Sequence, residues 1–260
     1  MPEILEVEAA RRVLEERALG RAIARVHAPD AWFLKRGLTP RGVRRALAGR
    51  ALDRARRRGK LLLVDTSASG PVLGLHLGMS GRIVVDGEAA GDPLVYASNR
   101  EVVHWHRFGL HFTDGGTLWL RDPRRLGAVE LDPDEDRLGP DAFALTRPHL
   151  ASVLGASRAP VKAVLMDQAR VAGLGNLLVD EALYRAGVDP ARAARDLSDD
   201  DVGGLHRAIR TTLRTLERRG GSHTGDLPRG PDATCPRDGA PLRRRTVGGR
   251  TTYSCPVHQR

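Results

Sequence analysis

The apolar positions at the start of the chain repeat at helical spacing. Ile4, Val7, Ala10, Val13, Leu14 and Ala18 fall on one face, which predicts a helix from Ile4 to Leu19. The period then drops to two. "RAIARVHA" alternates like a strand, and "LTPRGVRRALAG" predicts a short helix with Thr39 as N-cap and Pro40 at its first position. Strand-like runs follow: "ALDRARRR", "KLLLVDT", "PVLGLHL", "GRIVVDG", "REVVHWHRFGLHFTD", "GTLWLRD" and "LGAVELD". Turns bearing Gly and Asp separate them, and "DGGT" signals a hairpin. One helix followed by many short strands predicts a β-sandwich or barrel.

The pattern changes at the acidic, Pro- and Gly-bearing "LDPDEDRLGPDAFALT", a linker candidate. From Arg147 to Arg219 the period is helical, in "RPHLASVLG", "VKAVLMDQA", "GNLLVDEALYRAG" and "DDVGGLHRAIRTTLRTLERR", the last with Ser198 as N-cap. A polar loop leads to a tail, "CPRDGAPLRRRTVGGRTTYSCPVHQR", that reads as a hairpin flanked by its two cysteines. The expected class is α+β: a sandwich domain over 1–132, a linker over 133–146, a helical domain over 147–222 and a hairpin module over 233–260.

Composition narrows the function classes. Of 260 residues, 41% are hydrophobic, enough for a real core. The formal charge of +10, from 42 Lys and Arg against 32 Asp and Glu, favours polyanionic partners. Two cysteines do not make a secreted disulfide framework. No apolar run is long enough to span a membrane, and the acidic, amphipathic start is unlike a signal peptide. A soluble cytoplasmic monomer is expected.

Two stretches carry candidate chemistry. In the tail, Cys235 and Asp238 are spaced C-x-x-D, and Cys255 and His258 are spaced C-x-x-H, with sixteen residues between the knuckles. Zinc takes thiolate, imidazole and carboxylate ligands, and two such knuckles at the ends of a hairpin are a zinc-ribbon signature. A segment this short buries no core of its own, so one structural Zn2+ explains its order better than incidental cysteines do. Arg250 then falls at the hairpin tip, within reach of a phosphate. In the helical half, Gly173, Leu174, Gly175 and Asn176 form a G-L-G-N turn that opens a helix. Its free N–H groups favour a phosphate, and Asn176 adds a donor. No strand leads into the turn, so a dinucleotide-binding reading fails.

"MPEILEVE", "AGLGNLLVDEALYRAGVDP" and the terminal hairpin together resemble the formamidopyrimidine-DNA glycosylase and endonuclease VIII family. "RRRGKLLL", "LGMSGR" and "LRDPRRLGAVEL" are similar to its sandwich motifs, so the resemblance covers essentially the whole chain in order. It implies an N-terminal catalytic sandwich, a helix-two-turn-helix DNA-binding lobe and a zinc-finger-like hairpin, with damaged double-stranded DNA held in the cleft between the lobes. It implies that Pro2, exposed once Met1 is removed, attacks C1′ of the damaged nucleotide with its secondary amine. An α-amino group has an ordinary pKa of about 7.7–8.0, so much of it is free base at neutral pH. Glu3 becomes the proton-transfer residue, Glu6 a second acid at the sugar, and Lys60 a phosphate contact that assists proton movement. Met79, Arg124 and Leu126 match the residues that fill the hole left by a flipped base. Lys162 matches a basic residue facing the flipped nucleotide, and Asn176, Lys60 and Arg250 match the phosphate grip.

The sequence departs from the family at Leu5, where proline is common, at Leu178, where tyrosine is frequent, and at Asp238 and His258, where cysteines are usual. The loop from Gly220 to Cys235 is shorter than in the oxidised-guanine enzymes. That favours endonuclease VIII-like substrates, oxidised pyrimidines and abasic sites, over 8-oxoguanine. The expected activity is a bifunctional base-excision-repair glycosylase and abasic-site lyase. A non-catalytic binder of damaged DNA on the same scaffold is the alternative. A zinc-ribbon RNA-binding protein leaves the start of the chain unexplained, and with 4% aromatic residues the chain lacks interleaved bases-stacking rings.

Overall fold

The computed structural model describes residues 2–89, 98, 100 and 102–260. Met1, expected to be removed to expose Pro2, and Glu101 of the fifth strand-like run lie outside the described residues. The chain divides into two units, Met1–Glu135 and Asp136–Arg260.

The first unit runs α1 (Ile4–Arg17), β1 (Ile23–His27), α2 (Pro40–Leu47), β2 (Leu52–Arg58), β3 (Leu61–Thr66), β4 (Leu73–His76), β5 (Arg82–Val85), β6 (Glu88–Ala89), β7 (His106–Phe112), β8 (Thr117–Arg121) and β9 (Ala128–Leu131). The strands make two antiparallel sheets, ordered β1-β7-β8-β5-β6 and β2-β3-β4-β9. Alternate residues of both sheets, among them Phe108, Leu110, Leu118 and Leu120 of one and Leu62, Val64, Leu73 and Leu75 of the other, form one buried apolar cluster. That period of two is the sequence pattern turned into a core, and two sheets sharing it make a sandwich, not a barrel. Val7, Ala10 and Leu14 of α1 join the cluster, and α1 packs on β2, β3 and β5. Thr39 caps α2 by accepting from Gly42 N (3.0 Å) with Pro40 in the first turn. The "DGGT" turn joins β7 to β8. The fifth run is strand only from His106; Val103–Trp105 is a 3-10 turn, because Trp105 N–H folds back to Val102 O (3.0 Å). Strand β6, two exposed residues long, is too short to leave a period in the sequence.

The second unit holds α3 (Arg147–Gly155), α4 (Val161–Met166), α5 (Asn176–Ala186), α6 (Asp199–Arg218), β10 (Arg243–Val247) and β11 (Arg250–Ser254). Ser198 and Asp201 close a reciprocal capping box at the start of α6 (3.1 and 3.0 Å). Val202, Leu205, Ile209, Leu213 and Leu216 bury one stripe of that helix, and α6 packs on α5. The hairpin turns on Gly248 and Gly249, both at positive φ (57° and 72°), with Val247 paired to Arg250. This two-residue turn demands residues free of a Cβ penalty. The hairpin lies against α5.

Candidate functional site

In the first unit the head of α1 is held from two sides. Pro2 and Glu3 are buried, Glu3 completely. Glu6 reaches back to accept the Glu3 backbone N–H at 2.7 Å, so the second acid of the motif fixes the first. One turn on, Glu8 accepts from Arg57 (3.1 Å) and Arg11 (3.0 Å). Burial works against its charge, but the Arg11 and Arg57 hydrogen bonds prevail and hold the Glu8 carboxyl below its ordinary value. Arg57 also donates to Gly59 O (3.1 Å). It thereby ties α1 to the β2–β3 turn, Gly59–Lys60, in which Gly59 adopts φ 58°. Lys60 follows directly, and desolvation together with its charge lowers the pKa of His76 across the β3–β4 ladder. The "RRR" of β2 is thus no solvated charge run: Arg57 is 9% exposed, and Arg56 pairs with Asp65 and Glu135.

Met79, Arg124 and Leu126 come together through a carboxylate that the sequence reading passed over. Asp122 is fully buried. It accepts from Ser80 Oγ, from Arg124 N (3.1 Å), and from Leu126 N and Gly127 N (2.7 Å each). Ser80 lies next to Met79, so one side chain locks both turns. Gly78 packs so close that a Cβ there would meet the Leu126 carbonyl carbon at 2.4 Å. Arg124 and Leu126 project from this loop, Leu126 with 49% exposure.

In the second unit Gly175 caps α5 in extended conformation and Asn176 is its first residue. Gln168 secures the turn, accepting from Gly173 N (2.9 Å) and donating to Leu174 O (2.9 Å). Asn176 Nδ2 donates to Thr251 O of the hairpin (3.1 Å), which sets it beside the strand that Arg250 opens; Arg250 is exposed at the tip. Lys162, expected to face the flipped nucleotide, is no surface lysine: it is 0% exposed. Its ammonium pairs with Asp180 (2.6 Å) and donates to Thr252 Oγ1 (2.7 Å) and Thr251 O (3.3 Å). A buried ammonium needs an anion and acceptors, and the hairpin together with α5 supplies them.

The ligand atoms of Cys235, Asp238, Cys255 and His258 all lie within 4.8 Å of one another. Cys235 Sγ is 3.6 Å from His258 Nδ1, Cys255 Sγ 3.2 Å from Asp238 Oδ2, and His258 Nδ1 3.0 Å from that oxygen. Tetrahedral zinc, with bonds of about 2.0–2.3 Å, needs ligand separations of about 3.3–3.8 Å, which this donor set fits with small adjustment. Arg237 N and Val257 N each point at a cysteine sulfur (3.4 Å). The neighbouring His258 holds the Asp238 carboxyl far below its ordinary value, while burial pushes the Cys255 thiol up. A cation at the centre would favour the thiolate. Tyr184 backs the cluster, its hydroxyl 3.6 Å from Cys235 Sγ and its ring edge-on to His258.

Residues 1–129 match the family model described as the formamidopyrimidine-DNA glycosylase N-terminal domain, and residues 138–226 match that of the H2TH domain. The formamidopyrimidine-DNA glycosylase of Paracoccus denitrificans is 37% identical over 292 residues, covering 100% of both chains. That of Cereibacter sphaeroides is 41% identical over 238 residues, covering 87% of this chain and 82% of its own. The chain belongs to the formamidopyrimidine-DNA glycosylase family. The glycosylase fold is equally matched by two solved structures of the Lactococcus lactis enzyme. A complex with DNA containing an abasic site has a TM-score of 0.84 at 27% identity over 100% of both chains. A complex with Fapy-dG DNA has 0.84 at 26% over 99% of both. Members of this family are DNA glycosylases with abasic-site lyase activity, and DNA is the partner. Among the described residues no helix is long and apolar enough to cross a membrane.

Within the glycosylase, each unit therefore gathers its own set: Pro2, Glu3, Glu6, Lys60 and the Met79–Arg124–Leu126 trio in the first, and Asn176, Arg250 and the metal cluster in the second. Asp122, Arg57, Gln168 and Asp180 escaped the sequence reading. "DP" in "LRDPRRLG" and the first of the two adjacent acids in "NLLVDEAL" were their signals, and neither says what it will bind.

Proposed function

We propose that this glycosylase excises an oxidised base and nicks the strand through its N-terminal amine. The Pro2 nitrogen lone pair bonds to C1′ as the C1′–base bond breaks, and the base leaves with the electrons of that broken bond and takes a proton relayed by Glu3. The amine proton is then lost, and the nitrogen lone pair opens the C1′–O4′ bond onto a protonated O4′. The resulting iminium is resolved by elimination at the sugar, which releases the phosphate. Lys60, Asn176 and Arg250 hold phosphates around the lesion, and Met79, Arg124 and Leu126 fill the vacated stack. The observation that carries this reading is the buried Glu3 carboxylate directly behind Pro2, its backbone held by Glu6 at 2.7 Å. Borohydride is added to protein of confirmed Met1 removal on duplex DNA holding one abasic site. A covalent adduct mapping to Pro2 is expected. Tight binding with no adduct would hand the case to the non-catalytic binder of damaged DNA.

The substrate preference we infer is for oxidised pyrimidines and abasic sites over 8-oxoguanine. Its support is the Gly220–Cys235 segment, which is short and tied down. Leu227 N donates to Glu181 (3.0 Å), Asp226 pairs with Arg185 and Arg219 (2.5 and 2.6 Å), and Arg229 pairs with Asp180 (2.9 Å). A strap so anchored has little length to close over a flipped purine. Faster release of 8-oxoguanine than of an oxidised pyrimidine from matched duplexes overturns it. The metal we assign is zinc, one per chain, read by elemental analysis. The protein acts on the nucleoid.

A further inference from the structure

The second unit buries a charge pair that neither excision nor metal binding uses. Lys162 of α4 and Asp180 of α5 are both 0% exposed and 2.6 Å apart. The ammonium also donates to one strand, at Thr252 Oγ1 (2.7 Å) and Thr251 O (3.3 Å). Asn176 Nδ2 shares the Thr251 carbonyl (3.1 Å). Thr251 follows Arg250 in the chain, and Asn176 opens α5. One carbonyl is therefore held jointly by the first residue of the helix and by a lysine locked beneath it.

Asp180 is gripped from outside as well. Arg229 donates to Oδ2 (2.9 Å) and lies over the Tyr253 ring at 5.5 Å, and Tyr253 N points at the same oxygen (3.5 Å). The turn is fitted from the other side: a Cβ on Gly248 would stand 2.9 Å from that of Ala163, the neighbour of Lys162. Strand β11 is thus fixed against α4 and α5 at consecutive residues, Thr251 to Tyr253, some distance in sequence from the cysteine knuckles.

We propose that Lys162 and Asp180 are positioning residues, which set the register between the hairpin tip carrying Arg250 and the helix start carrying Asn176, so that both meet the DNA backbone preorganised. A buried pair suits this task because its geometry is narrow and water cannot substitute for either partner. The metal orders the hairpin internally; the pair orders it against the helices. The proposal rests on the phosphate-contact reading of Arg250.

The test is a double-mutant cycle on the full, metal-loaded protein. K162M/D180L removes both buried charges, and Arg229, 22% exposed, turns to solvent, so the fold survives; metal content and melting temperature verify that it does. Hydrogen exchange at the amides of Thr251 to Tyr253 reads the hairpin directly, and equilibrium binding to abasic-site DNA reads the grip. We expect retained metal, faster exchange at those amides and binding weaker by roughly tenfold, the scale of one charge-assisted contact. Adding R250A to that variant should cost much less than R250A costs the parent, because its contact is already lost. Parental DNA affinity in K162M/D180L, or costs of the two changes that simply multiply, overturns the proposal. R250A without effect in the parent removes the phosphate reading itself and takes the proposal with it, which separates the two failures. K162R serves as the conservative control, expected to restore part of the affinity.

Discussion

At the head of α1 the chain Glu8–Arg57–Gly59 locates the Lys60 turn, and water still reaches it: Glu8 is 14% exposed, Arg57 9% and Arg11 21%. Against α5, Lys162 and Asp180 are both 0% exposed. Both devices join a helix to a β-hairpin by ion pairs, yet they behave differently. In the wetter network Glu8 keeps Arg11 as a second partner and solvent compensates part of each lost link. The pair therefore falls between an exposed pair, at about 0–1 kcal/mol, and the cost of breaking a dry one. In the dry pair, desolvation cancels much of the attraction, so its worth shows mainly when one partner is removed. The same residue chemistry gives a tolerant brace in the first unit and an intolerant one in the second.

The strongest way to separate the units is to block the first chemically. An added residue before Pro2 should reduce borohydride trapping to background while DNA affinity stays near parental, since the nucleophile is lost and the grip kept. Metal removal does the converse. Chelation should melt the hairpin and weaken DNA binding strongly, with far-ultraviolet circular dichroism of the sandwich little changed. Next comes K162M alone, which strands Asp180 and should destabilise the second unit by about 3–5 kcal/mol in denaturant titration; K162M/D180L should recover most of it. The matching change in the first unit, R57M, leaves Glu8 paired with Arg11 and should cost less, about 1–2 kcal/mol, and equality of the two costs would erase the contrast. The smallest effect is on pH. The folded-state pKa of Glu8 lies below its ordinary 4.5, so the brace contributes fully above pH 4.5 and fades as pH falls through the lower folded value. E8Q should flatten that acid limb of the stability curve.

These contrasts bear on what a sequence can disclose. The core strands were legible because Leu62 and Val64, or Leu118 and Leu120, repeat at the pleat's own period. Thr39 and Ser198 were legible because capping acts over three residues. The metal cluster was legible because each knuckle is a local spacing; only the pairing of knuckles is distant. The burial of Lys162 was not legible because its partners, Asp180 and Thr252, lie 18 and 90 residues away, and no local pattern announces a buried ammonium. Arg57 looked like one of three equivalent arginines; its burial depends on Glu8, 49 residues earlier. The Val103–Trp105 turn read as strand because its apolar residues fit either form.

Asp122 takes hold of backbone N–H groups and one hydroxyl, never of the exposed side chains at 124 or 126. The shape of that loop is therefore written in peptide groups that every amino acid except proline shares. The side chain at 126 can change without disturbing the fold beneath it. The loop works as a socket with an exchangeable bit, so the tip of this glycosylase can be retuned one residue at a time.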